Sequence, residues 1–264
     1  MMKHFKPLIM TICLTVALMM ACKKNVLRTS PYDSVDGKAL LKVNYACPYR
    51  NNPGVLIKIN DQIVSSLVTY TTPYPGGGLN TGGNSYGDYL SVNPGQNKFS
   101  LVIPYKGTGR DSVVLYSTSL DLKPNEYQTV HVTDTLKDGS INNTTHVMTT
   151  DLSQKPDSGW VIYKFVNLIP NAGPLDLYYG PNKLVSGIEF KQASDTFRLQ
   201  AGQIQTTGWT IRMKDSTITL GSAYTASAAS TVANQRVFTV YARGYAGLPT
   251  TDIRNPRVSL LYVK

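Results

Sequence analysis

The sequence predicts an all-β protein made of two tandem antiparallel β-sandwich domains that follow a lipoprotein signal peptide. Three observations lead to this fold class: the composition, a series of short apolar runs separated by turns, and an internal repeat. The 264 residues include 27 Thr and 17 Tyr but only two Glu. Thr and Tyr favour strands, whereas Glu is common on the exposed faces of soluble helices. The composition therefore argues against helical bundles and doubly wound α/β folds.

The N-terminal segment has the features of a signal peptide. Two lysines precede an uncharged apolar stretch over residues 8–20, which is too short to span a membrane comfortably. The tetrapeptide Met-Met-Ala-Cys at 19–22 resembles the bacterial lipoprotein processing box, although Met19 stands where Leu is usual. We therefore predict a signal peptide over residues 1–21 and acylation of Cys22. An ordinary secretory signal with a chance cysteine is the alternative.

The cysteine count agrees with this prediction. Removal of Cys13 with the signal peptide and acylation of Cys22 leave Cys47 as the remaining thiol of the mature chain. One thiol cannot form an intramolecular disulfide, so the fold must depend on its hydrophobic core. We predict that Cys47 is a small buried residue near the end of a strand.

Short apolar runs separated by turn residues continue along the mature chain. The run VLIKIN-DQIVSSL at 55–67 predicts a hairpin, and the runs on either side of 106–110 predict another. Residues 127–134 alternate between apolar and polar, which places one face of a strand on a core. The best helix candidate is the Ala/Ser-rich segment 222–235, which is short and poorly amphipathic.

An internal repeat divides the chain into two halves. Residues 40–64 and 161–185 both begin with an apolar strand that ends in Asn and is followed by Pro, a turn and two further strands. Three more pairs follow in the same order: 91–103 with 198–211, Asp111-Ser112 with Asp215-Ser216, and 125–132 with 236–242. The repeat predicts a tether over 22–38, a first sandwich over 39–150, a linker over 151–159 and a second sandwich over 160–264.

Four segments of the repeat resemble a tandem of the bacterial domain-of-unknown-function family 4397. They are VNYACP and VLIKIND in the first copy, and FVNLIPNAGPLDLYYG and LQAGQ in the second. The first copy departs from the family pattern because it lacks an Asp in its second strand and carries a long Gly-rich insertion. The resemblance implies an immunoglobulin-like sandwich on an exported, often lipid-anchored protein of a Bacteroidetes-type bacterium. It implies no established activity, so no functional residues follow from it.

Charge and anchoring together predict the location of the protein. The formal net charge of +10 is spread thinly, and no basic stripe with interleaved aromatic residues is present, so nucleic acid is not an expected partner. Two or three acyl chains on Cys22 would anchor the protein stably to a membrane. Surface-exported lipoproteins of these bacteria often carry an acidic run after the cysteine, whereas Lys23-Lys24 follow here. We therefore predict the outer membrane, with the periplasmic face favoured over the cell surface.

Catalytic and metal-binding motifs are weak. Residues 83–87 match G-x-S-x-G, but a nucleophile elbow needs a strand before the Ser and a helix after it, and here a loop precedes a strand-like segment. His131 and Asp121 could complete a triad only by chance, because His131 lies in an alternating strand. His131 and His146 are the histidines left after signal removal, without a metal-binding spacing. We predict no catalytic residue, no metal site and no cofactor.

The insertion at 69–89 is the most distinctive segment of the sequence. It combines Gly, Ser, Asn and Thr with four tyrosines that are candidate ligand-binding residues: Tyr70, Tyr74, Tyr86 and Tyr89. This composition is typical of antibody loops, and Tyr can also stack on sugar rings. The alternative is a mobile surface loop whose tyrosines partly pack onto the sandwich. A second aromatic pair, Tyr178-Tyr179 beside Pro181, can direct at most one ring outward.

These observations predict a non-enzymatic, lipid-anchored envelope protein that acts as a binding or structural module for a glycan or another envelope protein. A fimbrial or adhesin-type assembly subunit is the alternative. It would require an unpaired sheet edge beside an exchangeable terminal strand such as Val258–Val263. An envelope hydrolase is the least favoured class, because it would need a site assembled from scattered Asp residues.

Overall fold

The structure is a computed structural model that describes residues 35–105, 111–134, 143–225 and 228–264. The predicted signal peptide, Cys22 and most of the predicted tether lie outside the described residues. Within them the protein is almost entirely β, which confirms the predicted fold class. The segment 222–235 contains one short helix, α1 (Ala228–Thr231).

The described residues form sixteen strands. The strands before residue 151 are β1 (Ala39–Tyr45), β2 (Leu56–Ile59), β3 (Gln62–Ile63), β4 (Gly78–Leu79), β5 (Leu90–Val92), β6 (Gly95–Pro104), β7 (Asp111–Leu122), β8 (Tyr127–Asp134) and β9 (Thr144–Thr150). The later strands are β10 (Trp160–Asn167), β11 (Leu175–Tyr179), β12 (Asn182–Ile188), β13 (Phe197–Gln200), β14 (Trp209–Met213), β15 (Val237–Arg243) and β16 (Arg257–Tyr262).

The first sandwich packs a sheet of order β5-β1-β8-β9 against a sheet of order β3-β2-β6-β7. Successive residues of a strand point to opposite faces, so every second residue enters the space between the sheets. Leu41 and Val43 of β1 meet Ile57 of β2 and Phe99 of β6 in one buried cluster. Cys47 belongs to the same cluster, two residues after β1, and burial raises the pKa of its thiol. The predicted position of Cys47 is therefore confirmed.

The second sandwich repeats this strand order except for β7, which has no counterpart strand in the described residues. Strands β13-β10-β15-β16 form one sheet and β12-β11-β14 form the other. Its core is rich in aromatic residues: the ring of Tyr163 stacks at 5.4 Å on Phe197 and at 5.8 Å on Phe238, and lies 5.1 Å from Trp209. Residues 219–224 form isolated bridges to β14.

The predicted antiparallel arrangement needs one correction in each sandwich. Strand β1 pairs with β8 in parallel, and β10 pairs with β15 in parallel, whereas every other strand pair in the described residues is antiparallel. Between β1 and β8 the chain passes through the opposite sheet twice, and its last crossing, from β7, lets β8 enter beside β1 from the same end. The polarity pattern of a single strand carries no information about the direction of its neighbour.

The two sandwiches pack against each other through one sheet from each. Strands β1, β8 and β15 are buried on both faces, because one face lies on their own core and the other on the neighbouring sandwich. Several contacts cross between them: Thr133 donates a hydrogen bond to the Leu168 carbonyl at 3.0 Å, and Tyr245 donates to Asp134 at 2.9 Å. The predicted linker over 151–159 begins inside this interface, because its first residue, Asp151, is buried.

The insertion at 69–89, which we call the strap, connects the two sandwiches. Its strand β4 adds to the sheet of the second sandwich by pairing with β16. A Cβ atom built at Gly78 would overlap the carbonyl oxygen of Leu260, so this pairing requires glycine. Leu79 packs into the second core. In the described part of the chain, no helix is long and apolar enough to cross a membrane.

Candidate functional site

The strap does not hold its four tyrosines on a common exposed surface. Tyr70 and Tyr89 are buried, Tyr74 is partly buried with its hydroxyl donating to the Val64 carbonyl at 2.6 Å, and Tyr86 is 68% exposed. This corrects the expectation of an aromatic ligand-binding loop, because packing between the sandwiches covers the rings of Tyr70 and Tyr89. A ligand-binding role of Tyr86 stays a prediction.

Tyr70 fastens the strap to the second sandwich. Its hydroxyl accepts a hydrogen bond from Arg243, and the Arg243 Cζ atom lies 5.2 Å from the centre of the Tyr70 ring. Arg243 is 3% exposed and also donates to the Ser259 hydroxyl at 2.9 Å and to the Asn80 carbonyl at 3.2 Å. Hydroxyl and carbonyl oxygens therefore satisfy this buried guanidinium, which holds the strap in place.

Tyr89 belongs to a second buried cluster between the sandwiches. Its hydroxyl donates to Asp151 at 2.9 Å, and the Lys42 Nζ atom lies 4.4 Å from the centre of its ring. The hydroxyls of Thr129 and Thr239 also donate to Asp151. Burial raises the pKa of Asp151 and lowers that of Lys42 to about 8. These groups are enclosed, so the cluster joins the sandwiches and is closed to a ligand.

The structure does not bring the triad-like residues of the sequence together. Ser85 lies in an irregular loop without a flanking helix. His131 is fully buried between Asn44 and Thr149, at 3.0 and 3.1 Å, and burial lowers its pKa to about 3. Asp121 instead forms a surface ion pair with Lys123.

Metal-binding side chains do not converge in the described residues. They contain no group of three His, Cys, Asp or Glu side chains that could hold a metal ion. His146 is hydrogen-bonded to the Tyr116 hydroxyl at 2.6 Å, and burial lowers its pKa.

The terminal strand is not at a free sheet edge. Strand β16 pairs with β15 on one side and with β4 on the other. The segment Val258–Val263 therefore lacks the unpaired neighbouring edge that the fimbrial alternative requires.

A polar groove lies on the outer face of the second sandwich. Trp209 and Ile211 of β14 point into the core, so Thr210 and Arg212 face the opposite way. The groove has a volume of about 630 Å³, and we call it the threonine groove. Its polar side chains come from β14 and from the segments on either side of it: Gln205, Thr206, Thr207, Thr210, Arg212, Thr219 and Thr225.

Two buried polar atoms of the lining residues have no hydrogen-bond partner among the residues that the structure describes. They are the hydroxyl oxygen of Thr210, a residue that is 7% exposed, and the Nε atom of Arg212. Most buried polar atoms in proteins have a partner, because removal from water without one costs free energy. Thr210 and Arg212 therefore each carry hydrogen-bonding capacity that the described residues leave unused.

Arg212 and Lys183 both lie near the ring of Tyr178, next to the groove. The Arg212 Cζ atom lies 4.0 Å from the centre of the Tyr178 ring, and the Lys183 Nζ atom lies 5.9 Å from it. Lys183 also forms a 2.8 Å ion pair with Asp176. Burial alone would raise the pKa of Asp176, but bonds from Lys183, Ser186 and Gly187 hold it below its usual value.

Sequence reasoning identified only one part of this site. The expectation that at most one ring of the pair Tyr178-Tyr179 faces outward agrees with the structure, since Tyr179 lies in the core and Tyr178 under Arg212. Thr210 and Arg212 were missed. Alternation along β14 could have placed both on the outer face, but it could not show that this face is concave.

The site and fold define an all-β protein of two sandwiches with an open polar groove on the second. The model of a family described as a domain of unknown function, DUF4397, matches residues 77–178 once, which supports the resemblance to this family, while the tandem of two copies stays a prediction. The match runs from the strap to β11 and so crosses both sandwiches, without Thr210 and Arg212. A comparison with curated proteins finds no match.

Proposed function

We propose that this chain is a non-enzymatic binding module of a bacterial cell envelope and that the threonine groove holds a glycan. The observation that carries this proposal is the buried, unpartnered hydroxyl of Thr210 beside the unpartnered Nε of Arg212, in a groove of about 630 Å³. Pockets that bind small molecules commonly have volumes of this order. Both atoms have hydrogen-bonding capacity that no other described residue uses.

The chemistry of the lining favours sugars. Threonine hydroxyls donate and accept hydrogen bonds, as does the side-chain amide of Gln205, and sugar hydroxyls need both kinds of partner. Pro181 and Ala223, which also line the groove, offer apolar contacts for the C–H faces of a sugar ring. An envelope protein is the rival ligand and is an outcome of the test below.

The same lining supports the proposal of binding without catalysis. Arg212 is the one titratable side chain among the residues that form the groove. A guanidinium stays protonated at physiological pH, so it cannot act as a general base. The groove can thus hold and orient a ligand, but its lining offers no group that would accept a proton from water.

The proposal includes a membrane anchor. Acylation of Cys22 would attach the chain to the outer membrane, with the periplasmic face favoured, and the polar tether over 22–38 would separate the sandwiches from the lipid. The apolar stretch at 8–20 and the Met-Met-Ala-Cys box support this part of the proposal. The strap then keeps the second sandwich fixed to the first.

A glycan array tests the proposal. The full-length chain, purified in detergent, should bind at least one class of envelope or environmental glycan, and the variants Thr210→Val and Arg212→Gln should bind it ~10-fold more weakly. Arg198→Gln is the matched control, because Arg198 stacks on Trp160 at 4.3 Å outside the groove. Glycan binding that survives both groove variants would refute the groove as the site. Capture of an envelope protein with no glycan bound would refute the glycan ligand.

A further inference from the structure

We propose that the threonine groove selects sugars that carry a carboxylate, such as uronic acids, and that Arg212 is the residue that binds the carboxylate. This inference rests on the proposed function and names its ligand class. The groove contains one positive side chain and no acidic one, since its other lining residues are Thr, Gln, Gly, Pro and Ala. An anionic group is therefore the natural complement of Arg212.

Arg212 forms no ion pair within the described part of the chain. Its cross-strand neighbour is Asp176 on β11. The Asp176 carboxylate, however, accepts hydrogen bonds from the Ser186 hydroxyl at 2.8 Å and the Gly187 N–H at 2.9 Å, and it forms an ion pair with Lys183. Among the described residues, no carboxylate forms an ion pair with Arg212. Its positive charge remains available to a ligand.

Tyr178 holds the guanidinium in place. The separation of 4.0 Å between the Arg212 Cζ atom and the ring centre is that of a close cation–π contact. A side chain already restricted by such a contact loses less conformational entropy when it binds a ligand. Arginine can bind a carboxylate through two parallel N–H···O bonds, which a point charge such as lysine cannot do. The arrangement therefore suits a planar carboxylate.

The other lining residues of the groove favour a sugar acid over other anions as the ligand of Arg212. The groove lining combines one guanidinium with several neutral hydroxyl groups, including those of Thr206, Thr207 and Thr225. One charge and many neutral hydrogen-bonding groups match a sugar ring with one carboxylate and several hydroxyls. A densely sulfated or phosphorylated ligand would call for several cations together.

Matched acid and ester probes test this inference. The full-length protein in detergent is titrated with oligogalacturonate and with its methyl ester, which keeps the sugar and the carbonyl but removes the charge, and with an array of other uronate oligosaccharides paired in the same way. The acids should bind ~10-fold or more tightly than the esters. Arg212→Gln should remove this difference and Arg212→Lys should restore part of it, whereas Arg198→Gln should keep it in full. Thermal unfolding checks that each variant is folded.

The possible outcomes separate the two proposals. Equal binding of acids and esters at the groove would overturn the selection of carboxylates and leave the glycan-binding function standing. Preference for sulfated glycans, or for an acidic peptide with the same number of carboxylates, would also overturn it. Failure of every glycan to bind would overturn both proposals. Acid preference that persists in Arg212→Gln would refute the role of Arg212.

Discussion

The Tyr70 hydroxyl accepts a hydrogen bond of 3.2 Å from Nη1 of Arg243, and this bond joins the strap of the first sandwich to β15 of the second. The two residues lie 173 positions apart in the sequence. Arg243 has no carboxylate among its hydrogen-bond partners and depends on oxygens of Tyr70, Asn80 and Ser259. Most of the strap therefore has a structural role, which is to join the two sandwiches.

Replacing Arg243 should destabilise the protein strongly. Arg243→Met leaves the buried Ser259 hydroxyl and the Asn80 carbonyl with one partner fewer, so we expect the free energy of unfolding to fall by about 3 kcal/mol. Urea denaturation of the full-length chain measures this loss. The exposed Arg198 is the control, and Arg198→Met should cost no more than about 1 kcal/mol. Equal losses in the two variants would contradict a fastening role of Arg243.

The β4–β16 pairing should fail when a side chain is added at Gly78. Gly78→Ala places a Cβ atom against the Leu260 carbonyl oxygen, so we expect β4 to leave the sheet. Amide hydrogen exchange should then accelerate at residues 77–80 and along β16. Gly173→Ala is the matched control, because a Cβ atom there meets no atom within 4 Å. Unchanged exchange in Gly78→Ala would show that the strap is not held by this pairing.

Local patterns in the sequence could predict strands but not what covers them. The alternation over residues 127–134 correctly predicts that one face of β8 packs on the first core. The polar residues of its other face, such as Thr129 and His131, look solvent-exposed in the sequence, yet the second sandwich buries them. A buried polar interface and a surface have the same pattern, so only the assembled fold distinguishes them.

The same limit applies to the strap and to the groove. The partners of the strap come from the far end of the chain, as Tyr70 and Arg243 illustrate. The outward direction of Thr210 and Arg212 follows from alternation, whereas the concavity depends on how residues 205–207 and 219–225 fold beside β14. The composition of the sequence pointed to the tyrosines of the strap as a binding site. It did not point to the threonines of the groove, because threonine is also an ordinary strand residue.

The buried lysine of β1 should give the protein a distinctive dependence on pH. Burial lowers the pKa of Lys42 from 10.5 to about 8, so between these values the unfolded chain binds more protons than the folded chain. The contribution of Lys42 to the free energy of unfolding should therefore increase with pH, by about 2 kcal/mol from about pH 8 to about pH 9.5. Urea denaturation at both pH values, for the unmodified chain and for Lys42→Met, isolates this contribution. Identical changes in the two proteins would contradict the lowered pKa.

Lipid attachment is expected at Cys22 alone. Cys22→Ala should abolish labelling of the chain by radioactive palmitate in growing bacteria, because the acceptor thiol is gone. Cys47→Ala should retain the label, since the Cys47 thiol is buried in the first core. Labelling that persists in Cys22→Ala would refute the predicted processing box.

Binding in the threonine groove is tested most directly by calorimetric titration of three full-length proteins with the array glycan that the unmodified chain binds most tightly. The proteins are the unmodified chain, the double variant Thr210→Val/Arg212→Gln, and Tyr86→Ser, which removes the exposed tyrosine of the strap. Because the Thr210 hydroxyl has no hydrogen-bond partner among the described residues, its replacement by Val should not weaken folding. We predict a loss of affinity of more than ~10-fold in the double variant and unchanged affinity in Tyr86→Ser. If Tyr86→Ser loses affinity for the glycan while the double variant keeps full affinity, the binding site lies in the strap and the groove proposal is contradicted.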